Sequence, residues 1–345
     1  MKQTLFKILA ILILTGSIAI GWGWMDFNGF MNNRATIPEA GMDIEIVSGA
    51  NLATVSKTLY QSGVLRSEFY SRLAGKIYPE LTQIKQGEYH LDVNMTPMDI
   101  FQKLVKGEVI SYQIQFIEGW TLKEFLTSLA SESRLIHTIE GKSHQDLIKI
   151  LPFISAEQFT YPNLEGLFYP DTYNFQKGSS DIQILQKSFQ LMQQMLDKYW
   201  SERDMGLPYE TAYEMLIMAS IIEKETGLYS EREKIAGVFT RRLQKRMRLQ
   251  TDPTVIYGMG DKYKGNIRRK DLLEKTPYNT YVIKGLPPTP IAMPSEASLA
   301  AAAHPAEGLD LYFVARGDGS HQFSETLEEH NKAVRYFQLN KRTDK

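Results

Sequence analysis

The hydrophobic positions of this chain begin as an unbroken run and then settle into alternating and helical spacings. Ile8 to Trp24 is apolar and uncharged, at the short end of what spans a bilayer as a helix. Ile44 and Ile46 alternate with polar neighbours as in a strand, and Ser48-Gly49 then turns into a helix carrying Leu52, Val55 and Leu59 on one face. The same order returns with Ile114 and Phe116 in a strand, Gly119 in the turn, and Leu122, Phe125 and Leu129 on the helix. Either the chain holds an internal repeat or it uses one common supersecondary unit twice. Between the two, Gly87 to Leu91 reads as a strand. Thr96-Pro97-Met98-Asp99 opens a further helix with a cap, a proline at N1 and an acidic residue at N3, and Gly107 closes it.

The alternation of Ile110, Tyr112, Ile114 and Phe116 starts a new domain. Deep within it, Met215 to Ile222 is apolar on every side of a helix, which requires burial in a sizeable core. Long turn-forming segments surround that helix, and Gly285-Leu286-Pro287-Pro288-Thr289-Pro290-Ile291 makes a rigid link before an Ala-rich helix from Ser298 to Ala303. The pattern predicts an α+β protein. Residues 1–7 are a short leading segment, 8–24 a transmembrane anchor, 25–42 a spacer, 43–108 a small α+β module and 109–345 a larger α+β domain.

Charge orients the anchor. Lys2 and Lys7 precede the apolar run, whereas Met25 to Ile46 carries Asp26, Glu39, Asp43 and Glu45 against Arg34 alone. By the positive-inside rule residues 1–7 stay in the cytoplasm and everything after Trp24 is exported, with Trp22 and Trp24 at the outer interface. A cleaved signal peptide is the competing reading, because Ala19-Ile20-Gly21 resembles a cleavage site. Formal net charge is −1 over 345 residues, so nothing suggests a nucleic-acid partner. The basic cluster Arg241, Arg242, Lys245, Arg246 and Arg248 reads as the wet side of a helix whose inner stripe is Ile235, Phe239 and Leu243. The chain has no Cys, which excludes thiolate catalysis and disulfides. Its six His show no metal-ligand spacing, so no metal and no cofactor is expected.

The buried helix ends in Glu223-Lys224-Glu225-Thr226-Gly227. Glu223 shares a stripe with Met215, Leu216 and Ala219, so the burial of that stripe extends to its side chain. Desolvation and the negative end of the helix dipole both favour a neutral carboxyl, which can serve as a general acid. Pairing with a Lys or Arg, or fraying into solvent at the helix end, is the alternative, and Glu225 competes for the same role from another stripe. Periodicity does not separate the two.

Several segments together resemble the endolytic murein transglycosylase family, also called YceG-like. They are Ala219-Ser220-Ile221-Ile222-Glu223-Lys224-Glu225-Thr226, Glu165-Gly166-Leu167-Phe168-Tyr169-Pro170-Asp171-Thr172-Tyr173, Leu249-Gln250-Thr251-Asp252-Pro253-Thr254-Val255, Pro277-Tyr278-Asn279-Thr280-Tyr281, Gly285-Leu286-Pro287-Pro288, and Leu311 to Ala315 followed by His321 and Glu329-His330-Asn331. Ile291-Ala292-Met293-Pro294-Ser295 departs from the pattern, since relatives often carry Asn-Pro-Gly there, but is expected to leave the Glu223 element untouched. The resemblance implies an inner-membrane enzyme with a LysM-like module and a C-terminal catalytic domain outside the cytoplasm. Its substrate would be peptidoglycan glycan strands, cut internally between N-acetylmuramic acid and N-acetylglucosamine to leave 1,6-anhydro ends, and contact with peptidoglycan synthases is a further implication.

The family's catalytic glutamate is the first Glu of its Glu-Lys-Glu-Thr element, which maps onto Glu223. Glu165, Gln250, Tyr278, Asn279, Tyr281 and His321 are candidate substrate contacts, and Thr226 is a candidate partner for Glu223. A lytic reaction needs one carboxyl, because the sugar's own 6-hydroxyl replaces water as nucleophile. A second carboxylate beside Glu223, from Asp171 or Asp252, would instead point to a water-using muramidase. A peptidoglycan-binding scaffold without catalysis is the third reading.

Overall fold

The computed structural model describes residues 2–155 and 159–339. The chain divides into two compact units, residues 1–112 and 113–345. The first begins with helix α1 (Lys2–Asn32), the one described helix long and apolar enough to cross a membrane. Its large apolar side chains are exposed from Leu5 to Met25, after which Phe27, Phe30 and Met31 are buried. Residues 25–32, expected to be part of a spacer, are therefore helix. The physical reason is the spacing of 27, 30 and 31, which puts three large side chains on one face where the unit can bury them.

Those side chains join a core with β1 (Met42–Ile46), α2 (Leu52–Gln61), α3 (Glu68–Ile77), β2 (Gly87–Leu91) and α4 (Pro97–Lys106). β1 and β2 pair antiparallel, with Met42 opposite Leu91 and Ile46 opposite Gly87. This register turns Ile44, Ile46, Tyr89 and Leu91 to the core. α4 has the capping box read from its sequence: Thr96 and Asp99 satisfy each other's backbone N–H groups, and Gly107 ends the helix at φ +76°.

The second unit follows β3 (Tyr112–Gln115), which pairs with β4 (Thr172–Phe175). Between them lie α5 (Leu122–Ser131) and α6 (His144–Ile150), and beyond them come α7 (Asp181–Glu202), α8 (Ala212–Glu225), α9 (Arg232–Gln244), α10 (Asp252–Met259) and α11 (Glu296–Ala303). A hairpin of β5 (Tyr312–Ala315) and β6 (His321–Ser324) precedes α12 (Leu327–Val334), with Ala315 opposite His321. α8 is the central helix: every residue from Met215 to Ile222 is buried, with α11, α9, α7 and α10 packed around it. The Ala-rich sequence of α11 explains its close fit against α8, since Ala301, Ala302 and Ala303 are buried with only a methyl group each to hold the backbones apart.

Two of the five basic residues at the end of α9 are not on its wet side. Arg242 is buried and donates to the carbonyls of Leu311 and Leu249, while Arg241 donates to those of Asp310 and Ala306. The guanidinium forks are used to satisfy carbonyls of irregular chain, which an ammonium point charge would not match.

Candidate active site

Glu223 sits in the last turn of α8, where Ser220 one turn earlier already holds the backbone of the Pro-rich link: Ile291 N–H donates to Ser220 Oγ at 3.0 Å. The same helix face continues to Glu223. Its Oε2 accepts from Ser295 N–H at 3.0 Å, from Ser298 Oγ at 2.8 Å and from the Ser295 hydroxyl. Its Oε1 accepts from Arg232 Nη2 at 3.2 Å. Glu223 and Arg232 expose only 6% and 10% of their side chains, so this is a buried, charge-assisted pair. Glu223 is thus not the lone buried acid that an all-apolar helix suggests. Of the readings open from the sequence, pairing with an arginine describes its contacts.

The segment from Met293 to Ser295, expected to leave Glu223 untouched, holds it directly. Ser295 is the N-cap of α11, which aims its N–H at the carboxylate, and an anion is favoured at that helix end. The loop at Gly119 closes the other side. Gly119 N–H donates to Met293 O at 2.9 Å, Met293 N–H donates to Trp120 O at 2.8 Å, and Lys224 Nζ donates to Gly119 O at 3.0 Å. A Cβ on Gly119 would stand 3.6 Å from Glu223 Cγ. The neighbouring Glu118 has its pKa raised, first by burial and then by the Glu223 charge, with Arg232 opposing.

Neither Asp171 nor Asp252 provides the second carboxylate considered above. Asp171 caps Thr172 N–H, and Asp252 accepts from Tyr281 OH at 2.6 Å. Thr226 accepts from Leu228 N–H and has no bond to Glu223 among the described residues.

Glu225 points the other way, as a residue two positions along a helix must. It accepts from Thr251 Oγ1 at 2.7 Å, and burial of its carboxyl raises its pKa. It lines a cavity of about 500 Å³ together with Gln250, Tyr281, His321, Tyr312 and His330. Three of the six expected contact residues, Gln250, Tyr281 and His321, therefore share one cavity, which Glu223 does not line. Gln250 holds φ at +51°, a conformation uncommon outside glycine. His321 is fixed by Glu231, which accepts from its backbone N–H at 3.0 Å and meets its Nδ1 at 2.7 Å. Glu231 directly precedes Arg232, so one dipeptide connects the cavity wall to the Glu223 clamp.

Glu165 and Tyr278 belong to another cluster. Glu165 is buried, accepts from Leu122 N–H at 2.8 Å and from Tyr257 OH at 3.0 Å, and burial pushes its pKa up to about 7. The Tyr278 ring packs on Tyr257 at 4.9 Å between centroids, and its hydroxyl meets Thr289 Oγ1 at 2.9 Å. Asn279 is buried with both ends of its amide engaged, donating to Asp271 O and Glu274 O and accepting from Tyr281 N–H. Its side chain braces the loop. Among the described residues no group of three His, Asp or Glu stands together as a metal site.

No role beside Glu223 was expected for Arg232, Ser295, Ser298 or Glu118. A signal was available for Ser295, since Ser-Glu-Ala-Ser before an Ala run is an N-cap pattern. None marked Arg232, which is an ordinary polar residue at the start of α9.

The YceG-like family matches residues 44–336. Over 305 residues the chain is 33% identical to an endolytic murein transglycosylase of Bacillus subtilis (strain 168), covering 85% of this chain and 83% of that protein. An endolytic murein transglycosylase of Streptococcus pneumoniae serotype 2 is 25% identical over 319 residues, covering 84% of this chain but 57% of that longer protein. The crystal structure of a yceG-like protein from Listeria monocytogenes, 32% identical, superposes with a TM-score of 0.51 over 86% of this chain and 99% of that one. With the family matched across most of its length, the chain belongs to the YceG-like family.

Proposed function

We propose that this chain is a lytic transglycosylase that cuts peptidoglycan glycan strands internally, with Glu223 as its acid and then its base. The observation that carries this reading is the clamp around Glu223, in which α8, α9 and the N-terminus of α11 converge on one carboxyl against the turn at Gly119. Protonated Glu223 gives its proton to the glycosidic oxygen as the bond to C1 of N-acetylmuramic acid breaks. The 6-hydroxyl of the same sugar attacks C1 and returns its proton to Glu223. The new C1–O6 bond makes the 1,6-anhydro end, the leaving sugar departs with a free hydroxyl, and no water is consumed. Holding the nucleophile in the same ring supplies effective molarities of about 10⁵ M or more, and one carboxyl that changes role suffices.

The cavity of Gln250, Tyr281 and His321 supports a role in holding glycan, since aromatic walls with a few polar groups are typical of small-ligand sites. Two helices between the strands of one antiparallel pair support reading the first unit as the LysM-like module that docks on glycan. The exposed apolar surface of α1 supports a single-pass anchor in the inner membrane, with the catalytic unit outside the cytoplasm.

Mass spectrometry of glycan strands digested with the soluble form lacking residues 1–24 tests the reading. Anhydro ends are expected, with Glu223→Gln losing about a hundred- to ten-thousandfold in rate, the range for loss of a general acid. Ordinary reducing ends would overturn it in favour of a muramidase. Glu118 is the observation on that side, because it supplies a second carboxylate that senses Glu223.

A further inference from the structure

We propose that Ser295 is a positioning residue that dictates which oxygen of Glu223 carries the proton. The proposal rests on the reading of Glu223 as acid and base. A carboxylate offers about four lone-pair sites, two on each oxygen. Oε2 already receives three donors, from Ser295 N–H, the Ser295 hydroxyl and Ser298 Oγ, whereas Oε1 receives only Arg232 Nη2, at the longer distance of 3.2 Å. Oε2 is saturated. The remaining capacity to take or give a proton is on Oε1.

The Ser295 hydroxyl has no alternative orientation. Its lone pairs receive Arg232 Nη1 at 3.0 Å and Ser298 N–H at 3.3 Å, which leaves its proton to Glu223. A donor whose own acceptor sites are occupied is also a stronger donor. One buried hydroxyl therefore joins three elements: it caps α11, holds the guanidinium that starts α9 and anchors the carboxylate that ends α8. Without it Oε2 keeps the backbone N–H of residue 295 and Ser298 Oγ, but the carboxyl can rotate about its last torsion and present either oxygen to substrate. Rotational freedom at the proton donor lowers kcat and leaves glycan affinity alone, because Ser295 is 2% exposed and has no surface to offer a ligand.

The test uses the full chain in detergent micelles on uncrosslinked glycan strands, comparing Ser295→Gly, Ser295→Thr and Glu223→Gln. Glycine keeps the backbone donor and is nearly as good an N-cap as serine, so it removes the hydroxyl without dismantling α11. Ser295→Gly is expected to lose about tenfold in kcat, the order of one charge-assisted hydrogen bond, with KM unchanged and a lower melting temperature from the lost partner of Arg232 Nη1. Threonine, which keeps the hydroxyl, recovers most of that loss. Parental kcat in Ser295→Gly, a loss lying wholly in KM, or a threonine variant as slow as the glycine one overturns the proposal. Glu223→Gln separates the two levels: cleavage by that variant defeats the reading of Glu223 itself, whereas its inactivity beside a fully active Ser295→Gly defeats only the role of Ser295.

Discussion

Glu165 shows how burial acts when donors are too few. It sits at the N-terminus of α5, accepting from Leu122 N–H and Tyr257 OH, and both bonds favour its anion, yet burial dominates and its pKa rises to about 7. The unfolded chain binds this proton with the ordinary Glu value of about 4.3. Between those two values the folded protein holds more protons than the unfolded one, so its stability falls as pH rises through that window. The difference amounts to roughly 3 kcal/mol lost from pH 4 to pH 8. Urea unfolding of the parent and Glu165→Gln at several pH values should show the variant gaining on the parent over that range, and parallel curves would contradict it. Glu223 is met by an arginine one helix further on and by two serines that lie 72 and 75 residues away in the chain. The stripe of Met215, Leu216 and Ala219 revealed that Glu223 would be buried, but not what would meet it there, since periodicity carries no information about the other wall of a site.

At the scale of elements, local signals were legible wherever neighbours in sequence do the work. The α4 capping box, the strand of Gly87 to Leu91 and the twice-used strand, Gly turn and helix all stand where the pattern put them. The two turns nevertheless differ. Gly49 and Gly119 both hold φ near +76°, at +78° and +75°, but a Cβ on Gly49 meets nothing within 4 Å while one on Gly119 meets Glu223 and Lys224. Alanine at either position should cost about 1–2 kcal/mol for its left-handed backbone, read as a shift of the denaturant midpoint at constant m. Only Gly119→Ala should also slow cleavage, because only that turn packs on the candidate acid. Equal activity in the two variants would separate the Gly119 loop from the site.

For the whole molecule, the decisive element is α1, which is exposed and apolar along its N-terminal stretch and buried from Phe27 onward. Its exposed uncharged stretch from Ile8 to Met25 is 18 positions, or about 27 Å at 1.5 Å per residue, close to a hydrocarbon core of about 30 Å. Two residues later Phe27 is already in the core of the first unit. The helix runs unbroken from the apolar stretch into the module, and under the proposed anchoring the charges on either side, Lys2 and Lys7 against Asp26, Glu39, Asp43 and Glu45, put residues 1–7 in the cytoplasm. Because the chain has no Cys, single cysteines report sidedness without background. Met205, 97% exposed in a turn of the second unit, is a suitable outer site, and Gln3 an inner one. In spheroplasts a membrane-impermeant maleimide should label Met205→Cys at once and Gln3→Cys only after lysis. Labelling of Gln3→Cys in intact spheroplasts would reverse the orientation and put the Glu223 clamp on the side of the membrane that holds no glycan strands.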